Sequence, residues 1–413
     1  MDSRLDGVDY VGMKQCDLLV VGGGIVGLTL AREWLLRHPG STVSVLEKEP
    51  NSVSHGTGRN SGVVHSGIYY QEHSLRARLC VAGSQDMLAY VEEKGIWTDR
   101  CGKLLVPPTE SALPSIAVLL ERGAANGVPI ELIDGQTAQM LEPRVNTQFD
   151  CALYIPVTSV VDNKAVAQAV VDDVQALGGL IHYNTQVTQM NGTDGRVETP
   201  QGIFSAGYII NAAGLFADQV ARNAGLEMRY SFQPFKGKYW MHCDPSFRMQ
   251  RLVYPIPDLN LPFLGVHTAH NAEGQVFFGP SSTPVIGREN YQGLDGIAWS
   301  DGMALSANLV WKLMRNTNGL RTLAWREAKL LRRAGVCAEI SRLIHGVKAT
   351  DLQTSLAKVG IRSQIFDPKA QHLVNDFVIL RDRRCVHILN AISPAFTASF
   401  AFSRHVLDHY LDA

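Results

Sequence analysis

The sequence predicts an α/β protein in which a parallel-sheet domain is laid down in separate pieces around a second, inserted domain of strands. Three observations carry this. Residues 17–21, Asp-Leu-Leu-Val-Val, are a short apolar run of the kind that suits a strand buried on both faces, and glycines and a helix-like stretch follow at once. A second such run, Thr42 to Leu46, comes after that helix, which is the order of a strand–helix–strand unit. Apolar runs recur at 208–214 and 386–389, each leading into a helix, while residues 228 to 280 between them alternate as strands rich in Phe, Tyr and Trp.

Composition bounds what the chain can do. Its 413 residues suffice for about two domains, and 46% hydrophobic with 19% charged residues is the balance of a folded globular protein. Lys and Arg number 38 against 39 Asp and Glu, so there is no net field to hold nucleic acid, and no nucleic-acid partner is expected. Seven scattered cysteines show no metal-ligand spacing and read as reduced thiols of a cytoplasmic protein with no bound metal. The start, with Asp2, Asp6 and Asp9, is neither a signal nor a transit sequence, and the longest apolar run, Leu18 to Ala31, is too short and too rich in glycine to span a bilayer.

Gly22-Gly23-Gly24-Ile25-Val26-Gly27 satisfies Gly-x-Gly-x-x-Gly in the context the motif needs, after a strand and before a helix read from Leu28 to Arg37. Gly22 permits the tight turn, Gly24 lets a pyrophosphate approach the positive helix end, and Gly27 lets helix and strand pack closely. Glu47 ends the second strand twenty residues beyond Gly27, where a carboxylate accepts hydrogen bonds from ribose hydroxyls, with Lys48 beside it. These residues describe a dinucleotide site and leave FAD and NAD both open.

Further blocks narrow the choice. Residues 55–70, His-Gly-Thr-Gly-Arg-Asn-Ser-Gly-Val-Val-His-Ser-Gly-Ile-Tyr-Tyr, form a loop in which glycines let backbone approach a flat ring. Together with Ser74 to Cys80, Cys101-Gly102-Lys103-Leu104, Tyr254 to Asp258, Pro262 to His267 and Asn390 to Ala395, this loop closely resembles the L-2-hydroxyglutarate dehydrogenase and oxidase family, within the FAD-dependent superfamily of D-amino-acid oxidase. The likeness runs from about Cys16 to about Tyr410.

The resemblance implies FAD as cofactor, a Rossmann-like FAD-binding domain discontinuous in sequence, and an inserted mixed β-sheet substrate domain. The expected boundaries are 1–85, 151–225 and 346–413 for the cofactor domain, and 86–150 and 226–345 for the substrate domain. Cofactor contacts are expected from the glycine turn, from Thr57, Gly58, Asn60, Ser61 and Gly62, from Val187 beside adenine, and from Ala213 and Gly214. Pro394, Thr397 and Ala398 lead into a C-terminal helix read from about Ser399 to Tyr410, whose free amides would stabilise negative charge on the reduced flavin.

The implied reaction is oxidation of L-2-hydroxyglutarate to 2-oxoglutarate, with the C2 hydride passing to flavin N5. It needs a base near neutrality above the ring, and His65 and His267 are the two candidates. Arg362, Lys236, Tyr254 and Tyr69 are the candidate carboxylate sockets and hydrogen-bond donors. Three positions depart from the family pattern: Gly287 where a lysine is common, Phe396 where alanine is usual, and Ser281 in place of asparagine. Another small 2-hydroxy acid or an amino acid as substrate, and a flavin-binding protein without turnover, are the alternatives. Oxygen, a quinone or a carrier protein would take the electrons. Helices are expected over 299–347, and the basic stretch Arg321 to Ile344 reads either as a solvated face or as a patch touching the inner face of a membrane.

Overall fold

The computed structural model describes residues 13–259 and 264–412; Asp2, Asp6 and Asp9, and Pro262 and Phe263 of the family-like block, lie outside the described residues. The central sheet has five parallel strands in the spatial order Leu180–His182, Val43–Leu46, Lys14–Val21, Gly202–Asn211 and Cys385–Ile388. Leu18 and its neighbours Leu19 and Val20 are fully buried, because the first strand has a partner on each side, with Leu18 opposite Val43 and opposite Tyr208. The antiparallel strands Gln189–Asn191 and Arg196–Thr199 extend the sheet beside Gly202–Asn211, and Ile379–Asp382 pairs with Cys385–Ile388. Three distant pieces of chain therefore build one sheet, as expected.

Element limits differ in two instructive places. The first helix, Ile25–Arg37, begins directly after Gly24, which serves as its N-cap with ordinary extended torsions (φ −77°, ψ 174°). The left-handed torsion of the turn belongs to Gly22 (φ +107°), in keeping with its tight-turn role, and Gly24 is needed for space alone. The last helix is Ala395–Val406, four residues earlier than expected, and ends in a π-type turn, Leu407–Leu411. Pro394 occupies its N-cap, a place where a missing N–H costs nothing, so Thr397 and Ala398 lie in the first turn and not in a loop ahead of it.

The remaining strands form a cover. Phe235–His242 lies between Val276–Gly279 and the long strand Leu352–Arg362 in an antiparallel sheet that also takes His267–His270 and Thr283–Pro284. A second sheet is mixed, with Leu252–Pro255 parallel to Lys103–Val106, and Cys151–Ile155 and Glu131–Asp134 antiparallel. Ser231–Phe232 pairs instead with Ile365–Asp367, so residues 228 to 280 are divided among three sheets.

The first and last helices pack along a buried seam in which Ser403 Oγ donates to Thr29 Oγ1 (2.8 Å), with Leu30, Trp34, Phe402 and Val406 around it. Helix Leu75–Glu93 crosses the last helix at Gly83, where a Cβ would stand 2.6 Å from Ala398 Cα. That contact sets how closely the C-terminal helix start approaches the 55–70 loop. Gly83→Val is expected to cost about 1–3 kcal/mol through overpacking, read as a fall in thermal unfolding temperature; an unchanged temperature would show that the two helices do not meet there.

Candidate active site

A cleft of about 970 Å³ runs from the glycine turn, beneath the 55–70 loop, to the start of the last helix and the face of the antiparallel cover sheet. At its nucleotide end Gly22, Gly24, Ile25 and Val26 line the wall with Glu47, Lys48, Val187, Ala213 and Gly214. Glu47 is almost fully buried and its carboxylate is held at both oxygens, accepting from the Gly23 amide (2.8 Å) and the Glu49 amide (2.9 Å). A fixed carboxylate at the end of the second strand is what recognition of a ribose requires. Lys48 reaches the cleft too, but its amine is engaged by Glu49 and Glu289.

The loop residues divide into lining and scaffold. Thr57, Asn60 and Ser61 line the cleft. Thr57 Oγ1 accepts from the Ile25 amide (2.9 Å), tying the loop to the helix start, and Asn60 braces the loop by donating to the Thr57 carbonyl (2.7 Å) and accepting from the Gly62 amide (2.8 Å). Gly27, Gly58, Gly62 and Ala398, expected beside the cofactor, are outside the lining of the cleft. They are packing positions: a Cβ at Gly27 would lie 2.0 Å from the Gly22 carbonyl oxygen, and one at Gly58 2.1 Å from that of Val53. Gly62 faces Val161 and Ala398 faces Gly83 in the same way.

At the other end Pro394, Phe396 and Thr397 meet His65, Tyr69, His267 and Arg362 around one space. Thr397 Oγ1 accepts from the His65 amide (3.1 Å) and donates to the Val63 carbonyl (3.3 Å). His267 Nδ1 lies 2.8 Å from the Gly265 carbonyl oxygen, so Nδ1 carries the hydrogen and Nε2 is left as an acceptor. Its ring stacks on Tyr254 (centroids 3.8 Å, planes 16° apart). Burial pushes both histidines down to about 3, with the Lys103 amine adding to the effect, so both are neutral imidazoles and neither has the near-neutral affinity expected from the sequence. Arg362 donates to the Ser281 carbonyl (3.2 Å) and Ser282 Oγ (3.0 Å), and burial lowers its affinity for protons while Tyr239 and Glu327 oppose that.

Two expected residues are displaced. Lys236 lies outside the cleft and donates to Asn290 Oδ1 (3.1 Å), because strand alternation in Phe235–His242 turns its neighbours Gly237 and Tyr239 inward instead. Tyr254 is buried behind His267 and does not line the space. Tyr239, Tyr70, Arg59, Arg76 and Arg122 do line the cleft and were missed. The period-2 pattern of 235–242 was the available signal for Tyr239, and Tyr70, Arg59 and Arg76 lie within the family-like blocks 55–70 and 74–80; Arg122 carries none. Of the three departures, Phe396 and not Gly287 or Ser281 lines the cleft. Gly287 lies beside Arg288, whose guanidinium binds the buried Asp218 carboxylate (2.5 and 3.0 Å), and a Cβ there would meet Ile297 at 2.9 Å and Asn290 at 3.1 Å. Away from the cleft, Asp99, Cys101 and His270 gather within 4.8 Å, with His270 Nε2 2.8 Å from the Asp99 carboxylate.

Residues 17–408 match the model of the FAD dependent oxidoreductase family. The chain is 32% identical to L-2-hydroxyglutarate dehydrogenase of Escherichia coli K12, with 95% of this chain and 92% of that one aligned. It is 33% identical to the mitochondrial L-2-hydroxyglutarate dehydrogenase of Homo sapiens over 95% and 88% of the two chains. Its fold is similar to L-alpha-glycerophosphate oxidase from Mycoplasma pneumoniae with FAD bound, at a TM-score of 0.76 and 22% identity, covering 96% and 94%. The cradle fits FAD: the glycine turn leaves room at a helix start, Glu47 is fixed for the ribose, and the cleft is long enough to continue to a second helix start at Ala395. The chain is a member of the FAD dependent oxidoreductase family.

Proposed function

We propose that this protein oxidises L-2-hydroxyglutarate to 2-oxoglutarate with FAD as cofactor. The observation that carries the reading is the convergence of a neutral histidine with a directed lone pair, His267, and a part-buried guanidinium, Arg362, on one space at the far end of a dinucleotide cleft. Full-length likeness to L-2-hydroxyglutarate dehydrogenases supports the choice of substrate.

Arg362 holds one carboxylate of the substrate in a charge-assisted contact. Arg76 and Arg122, at the mouth with Tyr69, provide positive potential for the second. His267 Nε2 takes the C2 hydroxyl proton, its ring held by the Gly265 carbonyl and the Tyr254 stack. His65, on the loop tied to Thr397, orients the same hydroxyl. FAD, when bound, supplies the two-electron acceptor for the C2 hydride. The substrate so loses one proton and one hydride and leaves as the 2-oxo acid.

A second element of the reading is where the protein works. Among the described residues no helix is long and apolar enough to cross a membrane. Met303, Val310 and Met314 are nonetheless exposed on one stripe of helix Trp299–Met314, and Trp325 and Leu331 are exposed close by, among Arg321, Arg326, Lys329, Arg332 and Arg333. Apolar side chains ringed by cations are the surface of a peripheral contact with anionic lipid, from which a quinone would collect the electrons.

Three measurements check these statements. Gly24→Val should fold yet lose FAD, read as absorbance of released cofactor per protein; full flavin content would remove the turn as phosphate cradle. In anaerobic stopped flow His267→Ala should slow flavin reduction by L-2-hydroxyglutarate by roughly two to four orders of magnitude with FAD retained, whereas Arg362→Ala should chiefly weaken substrate binding, roughly 10- to 150-fold. A mere few-fold slowing in both His267→Ala and His65→Ala would reject the histidine base, and faster reduction by a monocarboxylate or an amino acid would reject the substrate. The protein should float with anionic vesicles at low salt, and Trp325→Ser with Met314→Ser should abolish flotation; equal flotation of the variant would dismiss the lipid surface.

A further inference from the structure

Behind the wall formed by His65, Tyr69 and His267 lies a charged group that the oxidation as described does not use. Lys103 opens the strand Lys103–Val106 and is fully buried, and among the described residues its Nζ has no hydrogen-bond partner. The amine sits 4.6 Å from the ring centre of Tyr69 and 5.2 Å from that of Tyr254. Tyr254 in turn stacks on His267. The hydroxyls of Tyr69 and Tyr254 and Nδ1 of His65 are likewise buried without a partner. Four unsatisfied polar atoms on one side of a catalytic space are costly to the fold, and such cost is retained where function uses it.

We propose that Lys103 is a positioning residue for the oxidation: from behind Tyr69 and Tyr254 its amine keeps His65 and His267 as neutral imidazoles when a dicarboxylate enters the cleft. This rests on the substrate reading above. Two carboxylates brought into a buried space raise the proton affinity of every group nearby, and a protonated histidine accepts no proton from a hydroxyl. Burial draws Lys103 down to about 7, with Cys80 and Cys101 opposing. Both histidines stand at about 3, lowered first by burial; Lys103 then lowers His65 further, ahead of Arg76, and adds to the effect of His65 and Arg362 on His267. A proton drawn in by the dianion therefore goes to the amine and leaves the imidazoles neutral. The other groups facing this cluster, Arg76 on the helix Leu75–Glu93 and Arg362, both lining the cleft, are cations that push the same way, and Tyr69, Tyr70 and Tyr254 are uncharged, burial having raised their phenols.

The test is imidazole ¹⁵N NMR of the FAD-loaded protein and of its Lys103→Met variant, each with and without 2-oxoglutarate. In the parent protein His65 and His267 should stay neutral at pH 6 in both states. In Lys103→Met their midpoints should rise by about one unit or more, and the acid limb of flavin reduction by L-2-hydroxyglutarate should move up by the same amount, since loss of a nearby cation favours the protonated imidazole. Midpoints unmoved in a folded, flavin-loaded Lys103→Met protein would overturn the proposal. Should that variant not fold, protonation of either histidine at pH 6 in the parent protein on adding 2-oxoglutarate would overturn it by itself. If no hydroxy dicarboxylate reduces the flavin, the substrate reading fails, and the ligand-free midpoints still decide for or against Lys103.

Discussion

The Thr397 hydroxyl accepts a hydrogen bond from the His65 amide and donates one to the Val63 carbonyl, and through that pair the last helix is held against a loop more than three hundred residues earlier in the chain. Everything at the chemical end of the cleft depends on this junction. It brings a helix start, the 55–70 loop and, through the strand Val63–Val64, a small sheet completed by Ser159–Val161 and Thr98–Asp99 to a common point. Gly83 against Ala398 and the Thr29–Ser403 seam fix the same helix from two further sides. A helix held by three independent contacts keeps its amide end in place, which a preorganised site needs.

The second constraint is electrostatic. The cleft is lined by Arg59, Arg76, Arg122 and Arg362, with Lys103 behind it, and the histidines among them are neutral. A dianion is therefore drawn toward cations while the groups that must accept a proton stay unprotonated. Attraction and base chemistry compete when the same side chain does both; in the proposed reaction arginines attract and histidines accept. The arrangement explains why a base of low intrinsic proton affinity is serviceable: the incoming carboxylates raise it at the moment of use.

Much of this was legible in the chain. The strand, glycine turn and helix at 14–37 and the acid at Glu47 follow from spacing and residue chemistry, and Glu47 is held as a ribose-binding carboxylate would be. Resemblance carried the reading to His65, His267 and Arg362, which meet in one space although more than two hundred and ninety residues separate the first from the last. Less visible was strand parity: Lys236 has the right chemistry and the wrong face, and only the register of Phe235–His242 shows that Tyr239 takes its place. Gly58 and Gly62 look like ring contacts in sequence but serve close backbone packing. Lys103 stood inside the family-like block Cys101–Leu104 with no role attached to it, because a lysine at the start of a strand is ordinarily solvated and its burial comes from neighbours distant in the chain.

The central claim is that Arg362 and His267 address the two reacting ends of one 2-hydroxy dicarboxylate. A crystal structure of the FAD-loaded protein with 2-oxoglutarate tests it most directly. One carboxylate should lie against the Arg362 guanidinium and the C2 oxygen within hydrogen-bond reach of His267 Nε2, with the second carboxylate toward Arg76 and Arg122. A ligand whose C2 oxygen points away from both His267 and His65, or whose carboxylates leave Arg362 unoccupied, would contradict the account.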